Sequence, residues 1–253
     1  MTPCFPLVIL ENFKPSFFFN FIKTNISLQV IIFYKMKHFF LFVFCLITLQ
    51  TNAQTYKFYS TKNIHNQLRL NTKTGEVQQV QDDGQAWNIN YAVEYYGEKE
   101  NRFCLTETQN MWNFILLDTY TGKTWQVQFS TKGEEYMFAE PINAYSLAYP
   151  SESSVWTNRF KIFPTKNMWN FILLDSYNGR LWQVQYSTEN FDNLMCIPIN
   201  NTALIDDVSY SLFTIQPLTS MYQYYLINEQ NGDMWKFQWS TKGDDYRWIE
   251  KFR

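Results

Sequence analysis

The segment Asn110–Thr131 returns almost unchanged as Asn167–Thr188. A looser copy runs from Ser220 to Thr241, and a degenerate one from Asn63 to Gly84. The copies align on Gly75, Gly122, Gly179 and Gly232, a period of roughly 50 residues. Self-similarity at that period marks propellers, solenoids and arrays. In such folds a single copy cannot bury its own apolar faces. Neighbouring copies must stack to make the core.

Within each copy the apolar residues alternate with period two, which is the strand period. The first strand carries Phe103 and Leu105, Phe160 and Ile162, and Phe213 and Ile215. A turn follows at Asn110, Asn167, Ser220 and Asn63. Asn and Ser suit such turns because their side chains bond to nearby backbone. The second strand spans 67–70, 114–117, 171–174 and 224–227. It is followed by Asp118-Thr-Tyr-Thr-Gly and its equivalents, opened by Asp or Asn and closed by Gly at a place that calls for positive φ. The third strand is Trp125-Gln-Val-Gln-Phe in the second copy. Its glutamine side reads as hydrated or hydrogen-bonded. A fourth strand fits 136–142, 194–199 and 246–252. No long amphipathic helix is predicted. The exchange of Asp118 for Asn in two copies fits a turn-capping oxygen rather than a catalytic carboxylate.

The fold expected is all-β: four antiparallel meanders in a propeller-like ring. The hairpin Asp-x-x-x-Gly-x-x-Trp resembles the Asp-box hairpin of sialidase-type β-propellers over eight residues per copy. Asp118, Asp175 and Asn228 stand where that motif has Ser or Thr, and its aspartate slot holds Tyr120, Tyr177 and Gln230. One feature opposes the propeller. Blades stack on both faces, whereas the third strand alternates as in a sheet with one wet face. A closed barrel or curved sandwich of the same meanders is the alternative.

Met36–Ala53 has the form of a secretory signal: Lys37, an apolar run from Phe39 to Leu49, and small residues at Thr51 and Ala53. The apolar run is too short to span a membrane. Cleavage would leave Gln54 first. Residues 1–35 then read as an upstream start placed too early, or as a leader. Residues 54–253 form one repeat domain, with copies at about 54–100, 101–157, 158–210 and 211–253. The whole chain has a net charge of −2. Most charges lost with residues 1–53 are lysines, so the mature part is more acidic still. That argues against nucleic acid and anionic membranes as partners. Cys104 and Cys196 fall at different repeat positions and predict free thiols.

No catalytic set emerges. The mature chain has one histidine, His65, in a turn slot held elsewhere by Trp112, Trp169 and Tyr222. A Ser-His-Asp triad would have to use it. His and Cys ligand spacings for zinc are missing, as are nucleotide-binding glycine patterns. Glu134-Glu135, Asp192 and Asp244-Asp245 read as solvated loops rather than a calcium site. No cofactor or metal is predicted.

The candidate ligand-binding residues are Trp112, Trp169 and Tyr222, with Asn113 and Asn170 beside them. Aromatic faces with amide neighbours suit stacking on sugars or anchoring a protein. The competing expectation is that these rings staple adjacent copies. The chain therefore predicts a secreted or periplasmic binding or interaction module, not an enzyme, with a glycan or an envelope protein as partner. A carbohydrate-active enzyme using carboxylates and a structural envelope component are the alternatives.

Overall fold

The computed structural model describes residues 55–91, 93, 99–148, 158–205 and 212–252. The expectations about a signal peptide and start site fall on residues outside these. The described residues belong to a compact unit spanning Ala53–Arg253. Among them, no helix is long and apolar enough to cross a membrane.

Among the described residues, sixteen strands form four separate four-stranded antiparallel sheets, each a simple meander in sequence order. Blade one is β1 (Tyr56–Ser60), β2 (Asn66–Asn71), β3 (Val77–Gln81) and β4 (Ala86–Asn88). Blade two is β5 (Phe103–Glu107), β6 (Asn113–Asp118), β7 (Thr124–Gln128) and β8 (Phe138–Asn143). Blade three is β9 (Phe160–Pro164), β10 (Asn170–Asp175), β11 (Leu181–Gln185) and β12 (Met195–Asn200). Blade four is β13 (Phe213–Pro217), β14 (Gln223–Asn228), β15 (Met234–Gln238) and β16 (Trp248–Lys251). The sheets do not merge into a barrel; the architecture is propeller-like. The sequence placed the fourth strands too early. Short 3-10 turns at Glu134–Tyr136 and Asp244–Tyr246 occupy two of the expected starts, and one at Phe191–Asn193 ends just before the third. Blade one also has a fourth strand that the sequence did not reveal.

Successive blades pack face to face through three buried clusters. Leu68 and Leu70 of blade one meet Phe103, Phe114, Leu116 and Val127 of blade two. Ile115 and Leu117, on the opposite face of blade two, meet Phe160, Phe171, Leu173 and Trp182 of blade three. Ile172 and Leu174 meet Phe213, Leu226, Trp235 and Phe237 of blade four. Inner blades are thus apolar on both faces, as stacking requires.

The inner glutamines of the third strand are not wet, and the tension seen in the sequence disappears there; the outer ones, Gln81, Gln128, Gln185 and Gln238, are half-buried. Gln79, Gln126 and Gln183 are fully buried. Each accepts a hydrogen bond from a backbone N–H of the next blade: Ser130 at 3.1 Å, Ser187 at 3.2 Å and Ser240 at 3.4 Å. Each also donates, at 2.7 Å, to the Asn that opens its own second strand: Asn66, Asn113 or Asn170. A buried amide with both ends satisfied is compatible with a core. In blade four, which has no following blade among the described residues, Lys236 replaces this glutamine.

The opposite end of the stack is tied by backbone bonds and charge. Phe103 N donates to Thr72 O, Phe160 N to Thr119 O and Phe213 N to Ser176 O, linking each blade to the preceding β-turn. The turn glycines have φ between 73° and 79°. A Cβ on Gly122 would also sit 2.8 Å from the Phe160 ring of the next blade. Gly232, in the last blade, would meet nothing within 4 Å. Asp118 caps its turn through Tyr120 N and Thr121 Oγ1. It also accepts two bonds from Arg102, at 3.0 and 2.7 Å. Asp175 does the same with Arg159 and takes a third guanidinium bond, at 2.9 Å, from Arg180.

The terminal faces differ from the inner ones. Where blade two has Phe114, Leu116 and Trp125, blade one has Gln67, Arg69 and Gln78. Arg69 bonds Gln78 and lies 5.3 Å from the Tyr56 ring centre. Tyr56 and Phe58 on that face are 45% and 54% exposed. That face is therefore mixed, with polar Gln67, Arg69 and Gln78 beside two half-exposed aromatic rings.

Candidate functional site

In an antiparallel meander the β1–β2-type turn and the β3–β4-type loop come out at the same end. That end therefore gathers Trp112, Trp169 and Tyr222 from the first turns, and the segments after the third strands. Trp112 N donates to Asn110 Oδ1 at 2.8 Å and Asn113 Nδ2 to the same oxygen at 3.0 Å. Asn167 holds Trp169 and Asn170 in the same way. Asn110, Asn113, Gln126 and Ser187 of the next blade thus form one continuous run of hydrogen bonds, half-buried at Asn110 and buried from Asn113 inward. Its effect is to fix the Trp-bearing turn against the rest of the fold.

Trp112 and Trp169 are half-buried. Each packs first on a ring of its own blade: Trp112 on Phe129 at 5.2 Å, and Trp169 on Tyr186 at 5.2 Å. Tyr222 sits likewise 5.0 Å from Trp239. One side of each ring thus belongs to a core cluster, and the remainder is accessible. Asn113 and Asn170 are 1% and 2% exposed, and both ends of their amides are engaged. They form the back wall and hold the turn in place.

Two equivalent cavities open beside the two tryptophans. The first, about 240 Å³, is lined by Asn110, Trp112, Gln128, Lys132, Tyr136 and, from the next blade, Thr188. The second, about 370 Å³, is lined by Asn167, Trp169, Gln185, Glu189, Asn193 and, from the next blade, Thr241. Gln128 donates to Tyr136 O at 3.0 Å and Gln185 to Asn193 O at 3.1 Å, so the third-strand end and the following loop close each cavity in the same manner. A third cavity of about 360 Å³ lies between the turns, lined by Lys62, Glu107, Thr108, Thr165, Asn167 and Met168.

The Gln128 slot is glutamine in all four copies, which was the available signal for a shared loop-closing role. Lys132 and Tyr136 recur in blade four as Lys242 and Tyr246, whereas blade three has Glu189 and Asn193, and the segments read as solvated loops. His65 is exposed and lies 3.1 Å from Asp82, as a surface turn residue. Among the described residues no group of three or more His, Cys, Asp or Glu is placed to hold a metal. Cys104 and Cys196 are free, and burial pushes their thiols up to about 11 and about 12. Neither is poised as a nucleophile at neutral pH.

No protein-family model matches the chain, and no curated protein matches it. Solved structures similar in shape include a streptogramin B lyase, at 12% identity and a TM-score of 0.44, over 80% of this chain and 56% of that one. A protein from Lactobacillus plantarum is similar at 11% identity and a TM-score of 0.41, over 75% of this chain and 53% of that one. An auxiliary nutrient binding protein from Bacteroides thetaiotaomicron is similar at 9% identity and a TM-score of 0.39, over 79% and 41%. The chain spans about half the length of these structures or less. Similarity this distant says nothing of activity. The propeller-like assignment rests on the four stacked sheets.

Proposed function

We propose that the protein is a secreted or periplasmic β-repeat binding module whose ligand, a glycan or an envelope protein, sits at the turn end of blades two and three. Trp112 and Trp169 supply the contact faces. Tyr222 extends the row, and Asn113 and Asn170 fix the turns. The observation that carries this reading is the pair of equivalent cavities, built from the same repeat positions in successive blades. Their lining of aromatic faces, amides and hydroxyls suits recognition. Export rests on the segment Met36–Ala53.

The test is binding of the full chain to a glycan array and to envelope extracts, in the wild type and in Trp112→Ala and Trp169→Ala. A hot-spot ring is worth more than about 1 kcal/mol, or roughly fivefold in affinity. Each variant is expected to lose at least that much while still unfolding cooperatively. Unchanged binding in both would contradict the proposal. Turnover of a bound glycan, abolished by Glu189→Gln, would point instead to a carboxylate enzyme.

A further inference from the structure

We infer that the three cavities at the turn end are subsites of one groove, and that its ligand is an extended oligosaccharide lying across blades two and three. This rests on the binding role proposed above and names the ligand class and its direction. The cavities share walls. Thr188 lines both the Trp112 cavity and the Trp169 cavity. Asn167 and Asn170 line both the Trp169 cavity and the one between the turns. Singly, volumes of about 240, 360 and 370 Å³ lie near or below the bottom of the roughly 300–1,000 Å³ usual for small-molecule sites. Taken together as one groove, they approach the upper end of that range. Adjacent sheets pack about 10 Å apart, farther than one pyranose ring reaches. Contact with both tryptophans therefore calls for a chain of rings.

The lining selects the class. Each Trp cavity offers one half-exposed indole, with side-chain amides and hydroxyls around it. That combination matches a ring with one apolar face and a hydroxylated rim. Charges of both signs are present: Lys62 and Lys132, Glu107 and Glu189. The Lys62 ammonium is already held by the carbonyls of Thr108 and Gln109. The groove therefore does not select by net charge. A peptide adding as a strand would need a free row of backbone N–H and C=O groups, and these cavities are lined by turns and strand ends instead.

The inference is tested by calorimetry on the full chain with oligomers of one to six rings, in three series: β-1,4-linked N-acetylglucosamine, β-1,4-linked glucose and α-1,4-linked glucose. In at least one series, affinity should rise tenfold or more between one ring and four. Thr188 is exposed, so Thr188→Arg blocks the shared wall without disturbing the core. That variant should keep the melting temperature, and its four-ring affinity should fall to within about twofold of its own single-ring affinity. Equal affinity at all lengths, with Trp112 and Trp169 still required, would overturn the groove and leave two independent sites. An intact length gain in Thr188→Arg would also overturn it. Trp-dependent capture of an envelope protein with no sugar bound would overturn the ligand class and leave the binding module standing. Absence of binding in all three series and in envelope extracts would remove both.

Discussion

Replacing Asp175 by Asn is expected to destabilise the protein by about 3–5 kcal/mol, the usual cost of removing one partner from a buried ion pair. Asp175 is fully buried, as are Arg159 and Arg180 at 4% and 2% exposure. Arg159 donates to both carboxylate oxygens and Arg180 to one. The amide keeps the shape and the turn cap from Tyr177 N but not the countercharge. For a domain whose total stability is on the order of 5–15 kcal/mol, the loss is a large fraction. The chain itself supplies the control. Arg occurs before the first strand only in the blades with Asp in the turn: Arg102 with Asp118, and Arg159 with Asp175. Blade one pairs Thr55 with Asn71, and blade four pairs Leu212 with Asn228. The double change Arg102→Leu with Asp118→Asn writes the blade-four pair into blade two. It should be more stable than Asp118→Asn alone, with coupling within the roughly 0.5–3 kcal/mol seen for contacting residues. Strictly additive effects in denaturant melts would contradict the assignment.

Trp182→Ala should cost a similar amount, about 3–5 kcal/mol, as expected for truncating a buried Trp. The ring is 3% exposed. It lies in the cluster shared with Ile115 and Leu117 of blade two, 6.2 Å from Phe160, with the Arg180 guanidinium 5.2 Å from its centre. At roughly 2–4 °C per kcal/mol for a domain of this size, the melting temperature should fall by on the order of 10 °C. Trp125 occupies the same repeat slot but is only half-buried, so Trp125→Ala should cost less. Equal melting of Trp182→Ala and wild type would mean that the blades do not stack through this face.

Much of this fold was legible because the repeat is nearly intact. Period-two alternation located the strands, and Gly122 with its equivalents located the tight turns. The third-strand glutamines were harder to read. A glutamine opposite Val127 looks solvent-facing in one copy taken alone. Its burial follows only from the next blade's Ser N–H, a partner some sixty residues away. The same holds for Arg102 and Arg159, which precede their strands and meet their carboxylates only through the meander. At the candidate site, the turn aromatics were visible as a recurring slot. The cavities beside them were not, because half of each wall comes from the loop after the third strand and one threonine from the following blade. Glu189 breaks the pattern of its loop, and Lys132, although it recurs as Lys242, reads as part of a solvated loop.

The proposed ligand site is the turn end of blades two and three. It is tested most directly by following the indole N–H signals of the isotope-labelled full chain during titration with the four-ring oligomers of the three sugar series and with envelope extract. Trp112 and Trp169 are expected to shift together. Trp182 and Trp235 are buried, and Trp239 is buried with its N–H bonded to Met221 O; all three should stay in place. Binding that leaves Trp112 and Trp169 unmoved, or shifts confined to the opposite end around Asp118 and Asp175, would contradict it.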